Sequence, residues 1–172
     1  MVTIEHLAAE VARLRQRVTV AENVLAIQSL KARYGELVDR RFSQGAVVEA
    51  NALGELADRI AALFSPDGIW DGGLGLGMAI GRPAIADRLR EPTLIFSRHF
   101  FTNPRIEVDG DTATGRWDLL SPYRRSDGTS YWMCGYEDDE YSRIEGVWVH
   151  RSMKLTTVFM SAVGEGWTKI HV

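Results

Sequence analysis

Asp39 and His99 are sixty residues apart in this sequence, and of its side chains they are the pair best suited to moving a proton. Asp39 closes a run with helical spacing, and His99 opens the stretch His99-Phe100-Phe101-Thr102-Asn103. An imidazole titrates near neutrality. A carboxylate that holds one ring nitrogen orients the other as a general base toward carbon or oxygen, above all inside an apolar cavity. Each residue also has an ordinary explanation. A histidine flanked by Phe96, Phe100 and Phe101 suits a hydrogen-bonded core position, and an aspartate beside Arg40 and Arg41 suits a solvated helix end. A negative charge at a helix C-terminus is unfavourable for the dipole, so Asp39 needs a compensating partner in either case.

Other chemistries find less support. The glycine-rich segment Gly72-Gly73-Leu74-Gly75-Leu76-Gly77 invites a phosphate-binding reading, but a G-x-G-x-x-G frame from Gly75 meets Ile80 at its third glycine, and no lysine with serine or threonine follows. A bulge or cavity wall fits better. There is no G-x-S-x-G elbow for a serine nucleophile. His6, His99, His150 and His171 show no ligand spacing, and Cys134 stands alone, so neither a metal centre nor an internal disulfide is expected. With 172 residues, a net charge of -3, 45% hydrophobic and 25% charged residues, the chain reads as one soluble domain without an electrostatic footprint for nucleic acid. It lacks the basic-then-apolar order of a signal peptide and any apolar run approaching about 18 residues. No membrane association and a reducing cytoplasm are expected.

These side chains need elements to hold them. Ile4, Leu7, Val11, Leu14, Val18, Ala21 and Leu25 alternate spacings of three and four, a heptad-like stripe that packs either on its own domain or, as an arm, on another subunit. The register then moves to Ile27, Leu30, Tyr34, Leu37 and Val38, which predicts a bend around Thr19 to Asn23 or a second helix capped by Asn23. Tyr34 and Asp39 fall about 140° apart on an ideal helix, so they line one pocket only if Asp39 sits at its rim or the last turn unwinds. Residues 43 to 50 read as a loop, Asn51 as a helix start, and Ser65-Pro66-Asp67-Gly68 as a terminating turn. A short strand at 69 to 71 follows, and Gly81-Arg82-Pro83 opens a helix through Arg90. Beyond His99 the alternation is that of strands: a hairpin turning at Asp109-Gly110-Asp111, then Ser130 to Ser142, a turn at Glu145-Gly146, and Val147 to Val163. Helices first and antiparallel strands afterwards predict an α+β fold.

Several local patterns coincide with one family. Ala26-Ile27-Gln28-Ser29-Leu30-Lys31-Ala32-Arg33-Tyr34 with Asp39, then Leu63-Phe64-Ser65-Pro66-Asp67-Gly68-Ile69-Trp70, Gly81-Arg82-Pro83-Ala84-Ile85, His99 to Asn103, and Glu140 to Trp148 together resemble the SnoaL-like group of the nuclear transport factor 2-like superfamily. The branch in question is related to scytalone dehydratase and bile acid 7α-dehydratase. The resemblance covers residues 23 to about 160, leaving 1–22 as an N-terminal extension to a core at 23–163. It implies a cone-shaped α+β barrel, a curved antiparallel sheet wrapped around N-terminal helices, and a homo-oligomer, a trimer or less often a dimer, formed through the sheet.

The resemblance also implies roles. Asp39 and His99 hold the positions of an Asp-His catalytic dyad, and Tyr34 matches a tyrosine that hydrogen-bonds the substrate carbonyl. His99 would take a proton from the carbon next to a carbonyl, and water would leave without metal or organic cofactor. The substrate would be an apolar small molecule such as a steroid, terpenoid or polyketide, lined by Trp70, Phe96, Trp117, Tyr131 and Met133. The competing expectations are an isomerase or cyclase using the same base, and a non-catalytic ligand-binding or structural subunit. The second histidine and polar set that scytalone dehydratase uses on its leaving group have no clear counterpart in this chain.

Overall fold

The computed structural model describes residues 3–164. α1 (Ile4–Asp39) is one unbroken helix of 36 residues, capped by the Thr3 hydroxyl, which accepts from the His6 amide at 3.2 Å. The register change expected to bend or break it marks a change of neighbours instead. From Thr3 to Glu22 every residue except Glu10 is exposed, whereas Ile27, Leu30, Lys31, Tyr34, Leu37 and Val38 are buried against the body. Asn23 caps nothing. Its side-chain oxygen accepts from Trp148 Nε1 at 3.1 Å and Arg143 Nη1 at 3.3 Å, pinning the helix where it meets the sheet.

The stretch read as a loop holds a two-residue hairpin, β1 (Phe42–Ser43) and β2 (Ala46–Val47). Gln44 and Gly45 close it at φ 52° and 78°, the left-handed pair that a type I′ turn requires. α2 (Ala50–Ala61) then buries Leu53, Leu56, Ala57 and Ile60 at helical spacing. Ser65-Pro66-Asp67-Gly68 does not reverse the chain: it lies inside β3 (Phe64–Asp71), whose pairing slips between Phe64 and Ile69, so the turn-forming residues make a bulge. α3 (Gly73–Leu76), β4 (Met78–Ile80) and α4 (Arg82–Arg90) follow, with Pro83 in the first turn of α4, where its missing N–H costs nothing. α4 buries Ile85, Ala86 and Leu89.

The rest of the chain is strand: β5 (Leu94–Ser97), β6 (Phe100–Asp109), β7 (Thr112–Arg125), β8 (Ser130–Ile144) and β9 (Val147–Ala162). The sheet runs β4-β3-β9-β8-β7-β5, with β6 also pairing β7. All its pairs are antiparallel except β3 with β9, so the curved sheet is mixed and mostly antiparallel. Alternation places Trp117, Leu119, Ser121 and Tyr123 of β7, and Met133, Glu137, Asp139 and Tyr141 of β8, on the buried face that wraps the helices. The result is the expected α+β cone.

Candidate active site

Asp39 is the last residue of α1 and is buried. Arg41, also buried, secures that end of the helix: its Nε donates to the Val38 carbonyl (3.1 Å) and its Nη1 to the Leu89 carbonyl (3.3 Å), so one guanidinium ties α1 to the C-terminal end of α4. His99 stands in the break between β5 and β6. β5 pairs with β7 at Tyr123 to Arg125 and β6 pairs with β7 at Thr112 to Leu120, which leaves the His99 amide outside the ladder. That amide donates to both oxygens of Asp39, at 3.1 and 3.2 Å, and His99 Nδ1 lies 2.7 Å from Asp39 Oδ1. Arg98 Nε lies 3.4 Å from Oδ2. The compensation demanded by a carboxylate at a helix C-terminus is therefore supplied by two N–H groups of one residue and a neighbouring guanidinium.

This arrangement sets the tautomer. An ionised carboxylate only accepts, so Nδ1 carries the proton and Nε2 keeps its lone pair. Phe101 stacks on the imidazole with centroids 5.8 Å apart and planes at 22°. Gly35 makes room for that ring, since a Cβ there would lie 3.2 Å from Phe101. Phe101 also reaches Tyr34, 6.3 Å between centroids. Tyr34 is not bonded to the dyad and lies one aromatic ring away from it. Its hydroxyl accepts from Trp70 Nε1 at 2.9 Å, and burial holds its ionisation far above the ordinary range, so the O–H stays protonated.

Of the expected lining residues, Trp70 and Trp117 are buried in the main core, and Met133 is buried in a smaller apolar cluster with Leu119 and Tyr123. Tyr131 packs against that cluster, stacked on Tyr123 at 5.2 Å. Phe96 stands apart: on β5 it is Ser97 that turns inward, and alternation leaves Phe96 38% exposed. A cavity of about 30 Å³ lies beside Trp70, Leu76, Arg88 and the Pro92 to Leu94 segment. That volume holds about one water molecule.

A second polar group occupies the same interior. Lys31 of α1 donates to Glu137 and, at 2.7 Å, to Asp139 Oδ2. Tyr141 donates to Asp139 Oδ2 at 2.7 Å and accepts from Trp117 Nε1 at 2.9 Å. Lys31 Nζ sits 4.4 Å over the Phe101 ring, so the ring that stacks on His99 also carries an ammonium on its face. Burial opposes the charge of Lys31, but Asp139 and Glu137 outweigh it and hold the ammonium firmly protonated. Burial, with the like charge of Asp139, pushes Glu137 upward despite Lys31. His150 is fully buried against Phe64, Tyr34 and Tyr141, with neither ring nitrogen bonded to a described residue. Burial lowers it to about 3, so it is neutral at physiological pH. Among the described residues no cluster of histidine, cysteine, aspartate and glutamate could hold a metal ion; His171 lies outside them.

The sequence reading missed Lys31, Glu137, Asp139 and His150. A signal was present: Lys31 falls on the apolar stripe of Ile27, Leu30 and Tyr34, and Glu137 and Asp139 share the parity of Met133.

The chain belongs to the SnoaL-like domain family, whose model matches residues 19–154. Among solved structures it is similar to a nuclear transport factor 2-like protein of Novosphingobium aromaticivorans with a cystatin-like fold, at 26% identity over 92% of each chain and a TM-score of 0.66. It is similar to hexachlorocyclohexane dehydrochlorinase LinA-type3 of Novosphingobium barchaimii, at 23% identity over 91% of this chain and 95% of that one, TM-score 0.67. A Novosphingobium aromaticivorans protein provisionally assigned as a scytalone dehydratase matches at 20% identity over 84% and 90%, TM-score 0.69. No match was found among curated protein sequences. The fold is the nuclear transport factor 2-like cone. No described helix is long and apolar enough to cross a membrane.

Proposed function

We propose that this protein is a cofactor-independent lyase of the dehydratase type, acting on an apolar hydroxy-carbonyl compound through His99 and Asp39. The observation that carries the reading is the 2.7 Å contact between His99 Nδ1 and Asp39 Oδ1, with the His99 amide on the same carboxylate. His99 Nε2 abstracts the proton from the carbon adjacent to the carbonyl. Asp39 stabilises the imidazolium that forms. Tyr34, whose hydroxyl accepts from Trp70 and keeps its own proton to give, donates to the developing enolate oxygen. The imidazolium returns its proton to the departing hydroxyl. Trp70, Trp117, Tyr131 and Met133 supply the apolar surroundings for the substrate. The cavity beside Trp70 holds only about one water, less room than such a substrate needs.

The tightness of that interior favours one competing reading, a non-catalytic binding or structural subunit. The test is incubation in D₂O with a panel of apolar β-hydroxy ketones, following deuterium at the α-carbon and loss of water by mass. The lyase reading expects loss of water, with His99→Ala and Asp39→Asn each reducing the rate by about 10² to 10⁴-fold. Deuterium uptake without loss of water points to an isomerase or cyclase. Absence of both, or wild-type rates in the two variants, refutes the base.

A further inference from the structure

The N-terminal half of α1 presents an apolar stripe that the described residues leave exposed. Ile4, Leu7, Val11, Leu14, Val18 and Leu25 leave between 44% and 85% of their surface exposed. At about 100° per residue, the mean direction of this stripe lies about 160° around the helix from that of Ile27, Leu30, Tyr34, Leu37 and Val38, which face the body. The arm therefore cannot fold its apolar face onto its own domain while the helix stays continuous. We infer that residues 4–25 pair in parallel with the same segment of a second copy of this chain, as a two-stranded coiled coil.

Three features select that occupant. Spacings of three and four hold without interruption from Ile4 to Leu25, the repeat whose seam stays facing a partner helix. Ile4, Val11 and Val18 take the a positions and Leu7 and Leu14 the d positions, and β-branched residues at a with leucine at d favour two parallel strands. The flanking charges complement each other in that arrangement alone at both levels: Glu10 at g meets Arg15 at e of the other copy, and Arg17 at g meets Glu22 at e. Within its own helix Glu10 already pairs with Arg13, at 2.5 Å, and Arg15 of the second copy would share that carboxylate. With the seam facing away from the body, two copies meet along their arms while the domains lie on the outer sides. This contact is independent of the dyad and of any association through the sheet.

The full-length chain is tested by light scattering across a concentration series, beside a Val11→Glu, Leu14→Glu double variant. The expected result is a twofold lower mass for the variant with an unchanged melting temperature of the body. In a Cys134→Ala background, Leu14→Cys should form an interchain disulfide on mild oxidation, because identical d positions face each other only in a parallel, in-register pair, whereas Arg13→Cys, on the outer face, should not. Equal masses for wild type and double variant, or failure of Leu14→Cys to cross-link, overturns the inference.

Discussion

His150 makes the stability of this fold depend on pH in a calculable way. Its imidazole is enclosed by Phe64, Tyr34 and Tyr141, and burial lowers its pKa from 6.5 to about 3. The unfolded chain binds a proton at this residue below pH 6.5 and the folded chain refuses it until about pH 3, so stability falls on acidification through that window. Linkage between those two values gives a loss of about 2 kcal/mol between pH 7.5 and 5.0, growing to about 3 kcal/mol at pH 4. Glu137 works in the opposite direction, since its raised pKa favours the folded state as the pH drops below it. The clean measurement is therefore a difference of differences. Urea unfolding of wild type and His150→Leu at pH 7.5 and 5.0 should show the wild type losing about 2 kcal/mol more than the variant. Equal losses in the two proteins would refute the assignment of a buried neutral imidazole.

Two further substitutions probe the interior. Lys31→Met leaves Glu137 and Asp139 buried without their ammonium and should cost about 3–5 kcal/mol, more at high pH where both must ionise; a wild-type urea midpoint at pH 8 would contradict the ion-pair geometry. Gly135→Ala would place a Cβ 2.3 Å from the Thr156 carbonyl oxygen, a backbone atom that cannot swing aside. A loss of about 1–3 kcal/mol is expected, visible as a lower melting temperature, and an unchanged melting temperature would show that β8 and β9 do not approach so closely.

Periodicity revealed the strands from Phe100 onward because each has one face against the helices and one toward water, the condition under which alternation is clean. It misled where tertiary contacts overrode local chemistry. Ser65-Pro66-Asp67-Gly68 has the composition of a turn but is held as a bulge within β3, between Phe64 and Ile69, which both pair with β9. The register shift in α1 looked like a break because two apolar stripes serving different faces share one helix. For the site, the typed residues Asp39 and His99 were legible, and the structure brings them into hydrogen-bond contact. Lys31, Glu137 and Asp139 were marked only by sharing a face with apolar neighbours, because a charged residue at a core position is read as surface until its opposite charge, more than a hundred residues away in the chain, is known to face it.

The continuity of α1 fixes a phase relation. Its first turns carry the outward stripe and its last residue is Asp39, with no loop between them to absorb a change in length. Inserting one residue between Ala21 and Ile27 would swing the arm by about 100° relative to the body, while inserting seven would return it to within about 20° of its present direction. The segment thus behaves as a toothed shaft: its length can change in steps of whole heptads without turning the arm away from its bearing, and intermediate lengths would point the apolar stripe toward the sheet or toward open water.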